Sequence, residues 1–439
     1  MLRKTQRKTV ILHKIQYKMR HSIIHRSLFF LLLTIVTFAS ASAAETPAPF
    51  RRKALIKEVK AYNKAGSFAK SDEALRAAFA RYPQALADAE LLNYEVNAQN
   101  ELVKLENRKI FLQSKPDTVS YLSHVLQTYQ YALRCDSADR QPDAKGRVRP
   151  RFSANLSDKL TSLRNNLRSG GKFYYKKRNY KEAYTFLDLY LRTIHHPLLQ
   201  RTAARNEAAL SADSTEMAQL AVISAYAEQQ YADVLTYIDC AQGDTANLAL
   251  MLEIEAKSHA ALEHDREYVN TLKRGFQLYP QREYFYASLI QYYNTQESHH
   301  QALDVITRAL AANAPTDTLT TTKLLYLQGK QWQFLHQPDS AAQSFHHLLD
   351  IDPENAEAYA CLGDIQIFLA HQFYDNANLR IGSREYAENR RRLNAFYRQA
   401  QTAYEYARRL APQRPELWQT GLREAYYKLG EGKKLQDLE

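Results

Sequence analysis

Residues 323–363 read KLLYLQGKQWQFLHQPDSAAQSFHHLLDIDPENAEAYACLG, and this stretch decides the fold. Gly329 and Gly363 stand 34 residues apart. Around the first, Leu325, Gln328, Gly329 and Trp332 are followed by Ala341 and Phe345 and then by Pro353. Around the second, Tyr359, Leu362, Gly363 and Gln366 start the same series again. The physics is that of two short helices folded against each other. A small residue at Gly329 lets the first helix meet the second closely, Ala341 is its counterpart there, and Pro353 closes the unit because proline cannot continue a helix. A period of this length marks units that bury their apolar faces only by stacking on their neighbours.

The unit resembles the tetratricopeptide repeat, a helix–turn–helix motif with the pattern W-x2-L-G-x2-Y, A-x3-F, P. Other copies follow. Gly171, Tyr174, Tyr180, Ala183 and Leu187 keep the 12-residue separation of Gly329 and Ala341. Ile290, Tyr293, Ala302, Ile306 and Ala309 outline another, and Leu252 to Pro280 a further one. Leu55, Tyr62, Leu75, Ala78 and Pro83 give a degenerate first copy, and Val222 to Ala241 a loose one. Pro412 ends a unit, and Trp418 opens the last, which stops after Gly430 as a solenoid cap requires. The resemblance implies an all-α solenoid, a right-handed superhelix of helix–turn–helix units. Only 12 Gly and 13 Pro in 439 residues agree with it, arguing against a turn-rich β fold and Gly-rich phosphate loops.

The formal net charge of +12, from 59 Lys+Arg against 47 Asp+Glu, invites a nucleic-acid or membrane partner. Its origin is local. Arg3, Lys4, Arg7, Lys8, Lys14, Lys18, Arg20 and Arg26 precede the first acid, Glu45. The apolar run Leu28 to Phe38 and the small residues Ala39 to Ala44 come next. That order reads as a secretory signal peptide over 1–44, cleaved after Ala43 or Ala44, with Met19 as an alternative start. An uncleaved anchor is the other reading. Taking those eight bases from the 59 leaves 51 against 47 acids, a net +4. The expected location is the periplasm or outside the cell, with no membrane span after cleavage and no nucleic-acid partner.

Two breaks interrupt the period. A polar loop is expected over 135–158, carrying Lys145, Arg147, Arg149 and Arg151, between an N-terminal helical region at 45–134 and the main solenoid at 159–439. The second break is an insertion. Gly363 and its helix-B partner Ala400 are 37 residues apart instead of 12, so 25 are added at about 368–398. Phe368, Phe373, Tyr374, then Tyr386, Leu393, Phe396 and Tyr397 predict one elongated helical hairpin turning near Asn376 to Ser383. Each arm gains about 12 residues, roughly 18 Å. Arg380, Arg384 and Arg390-Arg391-Arg392 mark the tip region, which is free for a partner or packs on the N-terminal region.

Catalytic spacings such as HExxH, GxSxG or a P-loop do not occur. The pairs His195-His196, His299-His300 and His346-His347 cannot each present two ligands, since adjacent helical residues point about 100° apart. Cys135, Cys240 and Cys361 are too widely spaced for a CxxC site, and Cys240 and Cys361 are expected to pack as small apolar groups. No cofactor or metal is therefore expected. The resemblance implies that helix-A faces line a concave groove for an extended peptide or partner helix. The expected partner-binding residues are Arg168, Lys172 and Tyr175; Gln291 and Asn294; Lys323, Tyr326 and Lys330; and Arg423 with Gln419 and Tyr426. The carboxylate-clamp pattern of paired asparagines between lysines is absent. The expected function is a non-enzymatic protein–protein interaction scaffold of the cell envelope. A structural subunit of an envelope or secretion assembly, held by the helical arm, comes second, and an enzyme or small-ligand binder third.

Overall fold

The computed structural model describes residues 49–143, 145–200, 207–313 and 317–438, so the expected signal peptide lies outside the described residues. Described helices α1 to α9 are Arg52–Lys64, Phe68–Arg81, Ala89–Phe111, Thr118–Asp139, Ser153–Lys176, Tyr180–Arg192, Glu207–Ala227, Tyr231–Ala241 and Leu248–Ala261. Helices α10 to α18 are Asp265–Leu278, Glu283–Thr295, His299–Ala312, Thr318–Phe334, Pro338–Ile351, Ala356–Asn376, Tyr386–Leu410, Pro415–Leu429 and Gly432–Gln436. No strand occurs among the described residues. Each odd-numbered helix packs on the even-numbered one after it, and each pair on the next, so the core is a chain of neighbouring clusters.

In three pairs the seam follows from one residue. A Cβ added at Gly329 of α13 would lie 2.5 Å from the Phe345 ring of α14. At Gly171 of α5 the atom met is Leu187 of α6, at 2.6 Å, again 16 residues on. At Gly363 of α15 it is Tyr404 of α16, at 2.6 Å; the separation is now 41, the same 16 plus the 25 inserted. Missing side chains on helix A thus make the slots that bulky helix-B side chains fill, and Phe345 is fully buried there.

The turns inside the pairs share one backbone device. Arg178, Gln229, Glu263, Glu297 and His336 all sit at positive φ, between 51° and 59°. At each, the next residue's N–H closes back on the helix: Gln337 on the Trp332 carbonyl at 2.9 Å and His264 on that of His259 at 2.9 Å. This is the Schellman ending, which favours glycine because a Cβ is disfavoured in the left-handed region. Gly66 in the first pair and Gly430 in the last have the preferred residue, at φ 69° and 74°. We expect Arg178, Gln229, Glu263 and Glu297, all replaced by glycine, to raise stability by about 0.5 kcal/mol each. An unchanged or lower urea midpoint for the quadruple variant would show these turns to be unstrained.

Three expectations are corrected. The polar segment is shorter than 135–158: α4 runs to Asp139 and α5 starts at Ser153, so only the 13 residues 140–152 lie between them. Cys135, Asp136 and Asp139 are buried on α4, and Asp139 accepts from the backbone N–H of Phe152 at 2.8 Å, which fastens the loop's end. The N-terminal region also holds a second full pair, α3 and α4, that the repeat pattern does not reveal. Beside buried apolar residues such as Val96, Leu122, Val125 and Tyr129 it holds a buried polar network, in which Gln99 joins Glu95, Asp72 of α2 and His124, and no glycine seam marks it. Cys240, finally, is exposed. Val234, Ile238 and Ala241 take the inward face of short α8, and residue 240 falls on the opposite side.

The insertion forms a hairpin arm from the extended parts of α15 and α16, joined by 377–385. Ala370, Leu393 and Tyr397 make its small core, with Phe373, Phe396 and Leu429 of α17 packed around them. His371 contacts Glu424 of α17 at 2.5 Å. The arm therefore leans on its own hairpin and on α17.

Candidate binding groove

The expected groove residues separate into three groups. On α5, Arg168, Lys172 and Tyr175 follow i, i+4, i+7 spacing and share one face. That face meets α7, where Asp213 takes Arg168 at 2.8 Å and Glu216 takes Lys172 at 2.7 Å. Tyr175 stands edge-on to Tyr180, 5.9 Å away. Both cations are thus engaged inside the solenoid, as rungs between successive A helices. Such half-exposed rungs are worth about 0–1 kcal/mol each and fix register more than they add stability.

On α11 and α13 the outcome differs. Glu283, Ala287, Gln291 and Asn294 form the outward stripe of α11, and Lys323, Leu324 and Leu327 the facing stripe of α13. Between them lies a cleft of about 480 Å³ floored by the buried Tyr286, Ile290 and Leu324. Asn294 lines the cleft, and its Oδ1 is buried with no hydrogen-bond partner. A second cleft, of about 560 Å³, begins on the other side of Lys323, with Leu319, Thr322, Tyr326, Asn355, Glu357 and Arg414. Lys323 lines both clefts, is exposed, and forms no ion pair among the described residues. Tyr326 packs edge-on to Phe345, and burial pushes its phenol up to about 12, so it is a neutral donor.

Lys330 lines neither cleft. Its charge reaches the next repeat, where it acts on the Cys361 thiol and on Asp364. In the last pair, Gln419 donates to the Leu438 carbonyl at 3.4 Å and Tyr426 to Glu405 at 2.9 Å, so both hold the cap. Arg423 is exposed and unpaired among the described residues. Of the eleven expected residues, the structure gathers Gln291, Asn294, Lys323 and Tyr326 along the two clefts and leaves the others apart. Leu319, 65% exposed on the first turn of α13 and lining the second cleft, was missed.

Elsewhere, the three cysteines are all free, and burial pushes the Cys361 thiol up to about 11. Among the described residues no three His, Cys, Asp or Glu side chains come together as metal ligands, and no helix is long and apolar enough to cross a membrane.

Recurrent glycine-to-bulky-residue seams, a shared turn and clefts between successive A helices are now in view. The chain folds as a tetratricopeptide-repeat solenoid. The search for a matching family profile found none. A human protein O-mannosyl-transferase, TMTC1, is 32% identical over 81 residues, which are 18% of this chain and 9% of that enzyme. Among solved structures, the C-terminal part of a TPR repeat-containing protein from Cytophaga hutchinsonii is 16% identical, covering 62% of this chain and 92% of that one at a TM-score of 0.38. A TPR-repeat protein from Bacteroides fragilis is 16% identical, covering 60% and 97% at a TM-score of 0.31. Yeast Tom70 is 13% identical, covering 88% and 90% at a TM-score of 0.24.

Proposed function

We propose that this chain is an exported, non-enzymatic scaffold that captures an extended segment of a protein partner in the cell envelope. The observation that carries the proposal is the pair of adjoining clefts sharing Lys323. Their apolar floor accepts side chains, the exposed Gln291 amide offers hydrogen bonds to a backbone, and Lys323 with Tyr326 donates to carbonyls or carboxylates. An extended peptide offers all three complements at once. Export is supported by the basic, apolar and small-residue order of 1–44. The net +4 that remains after those residues gives little support to a nucleic-acid partner.

Photo-crosslinkers placed at Gln291 and at Tyr326 in intact cells test this. Both should yield one adduct of the same mass, and a crosslinker at the exposed Arg192 should not. Lys323→Glu should lower the Gln291 adduct about ten-fold, as for a charge-assisted contact of roughly 1.4 kcal/mol, with circular dichroism unchanged. Adducts formed only by a crosslinker on the arm, at Glu388, would favour the second reading, a structural subunit held by that arm.

A further inference from the structure

Where the solenoid exposes cations elsewhere, it often supplies partners for them. Arg168 and Lys172 pair with Asp213 and Glu216, and in the shortened loop Arg147 pairs with Asp143 at 2.8 Å. The arm is built differently. Residues 377–398 hold six arginines and two glutamates, a net +4. That equals the whole surplus of the chain from residue 45 onward, so the rest is balanced. Arg380, Arg384, Arg390 and Arg391 are exposed and have no ion pair among the described residues.

The tip also carries an apolar point. Ser383 N–H bonds the Arg380 carbonyl at 3.0 Å, closing a turn with Ile381 and Gly382 at its centre. Gly382 takes φ 87°, a value the turn can hold only with glycine or at a cost in strain. This leaves Ile381 84% exposed at the apex, between Arg380 and Arg384. The clefts described above stop short of this tip. An acidic peptide needs a groove that fixes its backbone, whereas an apolar side chain ringed by unpaired arginines matches the layered chemistry of a bilayer surface.

We propose that the arm docks this chain onto an anionic phospholipid surface, Ile381 entering the headgroup boundary and Arg380, Arg384, Arg390 and Arg391 facing the lipid phosphates. The assignment goes beyond peptide capture and does not depend on it. The groove variants leave the arm intact, and the arm variants leave Lys323 and Asn294 intact.

The test is flotation of residues 45–439, which contain every described helix, with vesicles of phosphatidylglycerol in phosphatidylcholine. Binding is expected to anionic vesicles and not to pure phosphatidylcholine, and to vanish at about 1 M salt, where the Debye length is near 3 Å. Each arginine contributes about five-fold in partition, so Arg380→Gln, Arg384→Gln and Arg390→Gln together should weaken binding about a hundred-fold. Ile381→Ser should weaken it several-fold while keeping the salt dependence. Circular dichroism checks that each variant is folded. Equal binding to neutral vesicles, undiminished binding by the triple variant, or no vesicle binding beside arm-dependent capture of polyglutamate would each overturn the proposal, the last in favour of an acidic polypeptide partner.

Discussion

Gly421→Ala is expected to destabilise the C-terminal repeats by about 2 kcal/mol, although alanine is the better helix former by roughly 1 kcal/mol. The cause is Tyr404, 2% exposed on α16, whose ring is held between glycines of two A helices. A Cβ at Gly363 would come within 2.6 Å of the ring on one side, and a Cβ at Gly421 closer still on the other. Its hydroxyl is fixed as well, donating to Asp364 at 2.6 Å. A ring blocked on both faces and tethered at its tip cannot swing aside, so backbone must move. Urea denaturation followed by hydrogen exchange over 386–429 measures the effect. Tyr404→Leu removes the obstructing atoms, so in that background Gly421→Ala should cost under about 1 kcal/mol, a coupling that a double-mutant cycle reads directly. Additive effects would mean that the ring is not the obstacle.

The second large effect is electrostatic. Glu95, on α3, is fully buried beside Asp72 of α2. Gln99 donates to both carboxylates at 2.8 Å, Arg76 bonds Asp72 at 2.6 Å, and the Gln99 oxygen meets His124 at 2.7 Å. Burial first, then the hydrogen bond with Asp72, pushes the Glu95 carboxyl up to about 9. A neutral acid then donates to Asp72 in the fold, while the unfolded chain ionises near the ordinary carboxylate value. The folded state holds the extra proton, so stability falls as pH rises from about 4.5 towards 9, by up to about 1.4 kcal/mol per pH unit. Glu95→Gln keeps a donor for Asp72 and an acceptor for Gln99 without the proton. It should flatten the slope and raise stability near pH 8 by on the order of 2–3 kcal/mol. Parallel pH profiles for the two proteins would show that Glu95 is ionised in the fold.

The two sites differ in how far they could be read in advance. Gly329, Phe345 and Gly363 are visible as a period, since a helix pair that needs a slot and a filler must repeat both at fixed separation. The insertion is visible for the same reason, as 25 residues between a slot and its filler. The Glu95 network has no glycine slot to mark it, and polar residues at helical spacing look like a solvated face until a neighbouring helix covers them. The groove shows both cases. Gln291, Asn294, Lys323 and Tyr326 sit where the repeat puts them, but Arg168 and Lys172 are taken by carboxylates 45 and 44 residues away.

What the sequence determined alone was therefore periodic and local: helix pairs, their glycine seams, and the position and length of the arm. Backbone hydrogen bonds and side-chain volume act within a few turns, and they leave a spacing to be read. What the tertiary structure decided was which charges survive. Whether a cation is free depends on the next repeat's outward stripe, more than 40 residues on, and no spacing within one repeat encodes it. That pairing closed the α5 face, left Lys323 open above an apolar cleft, and left the arm's arginines unmatched at its tip.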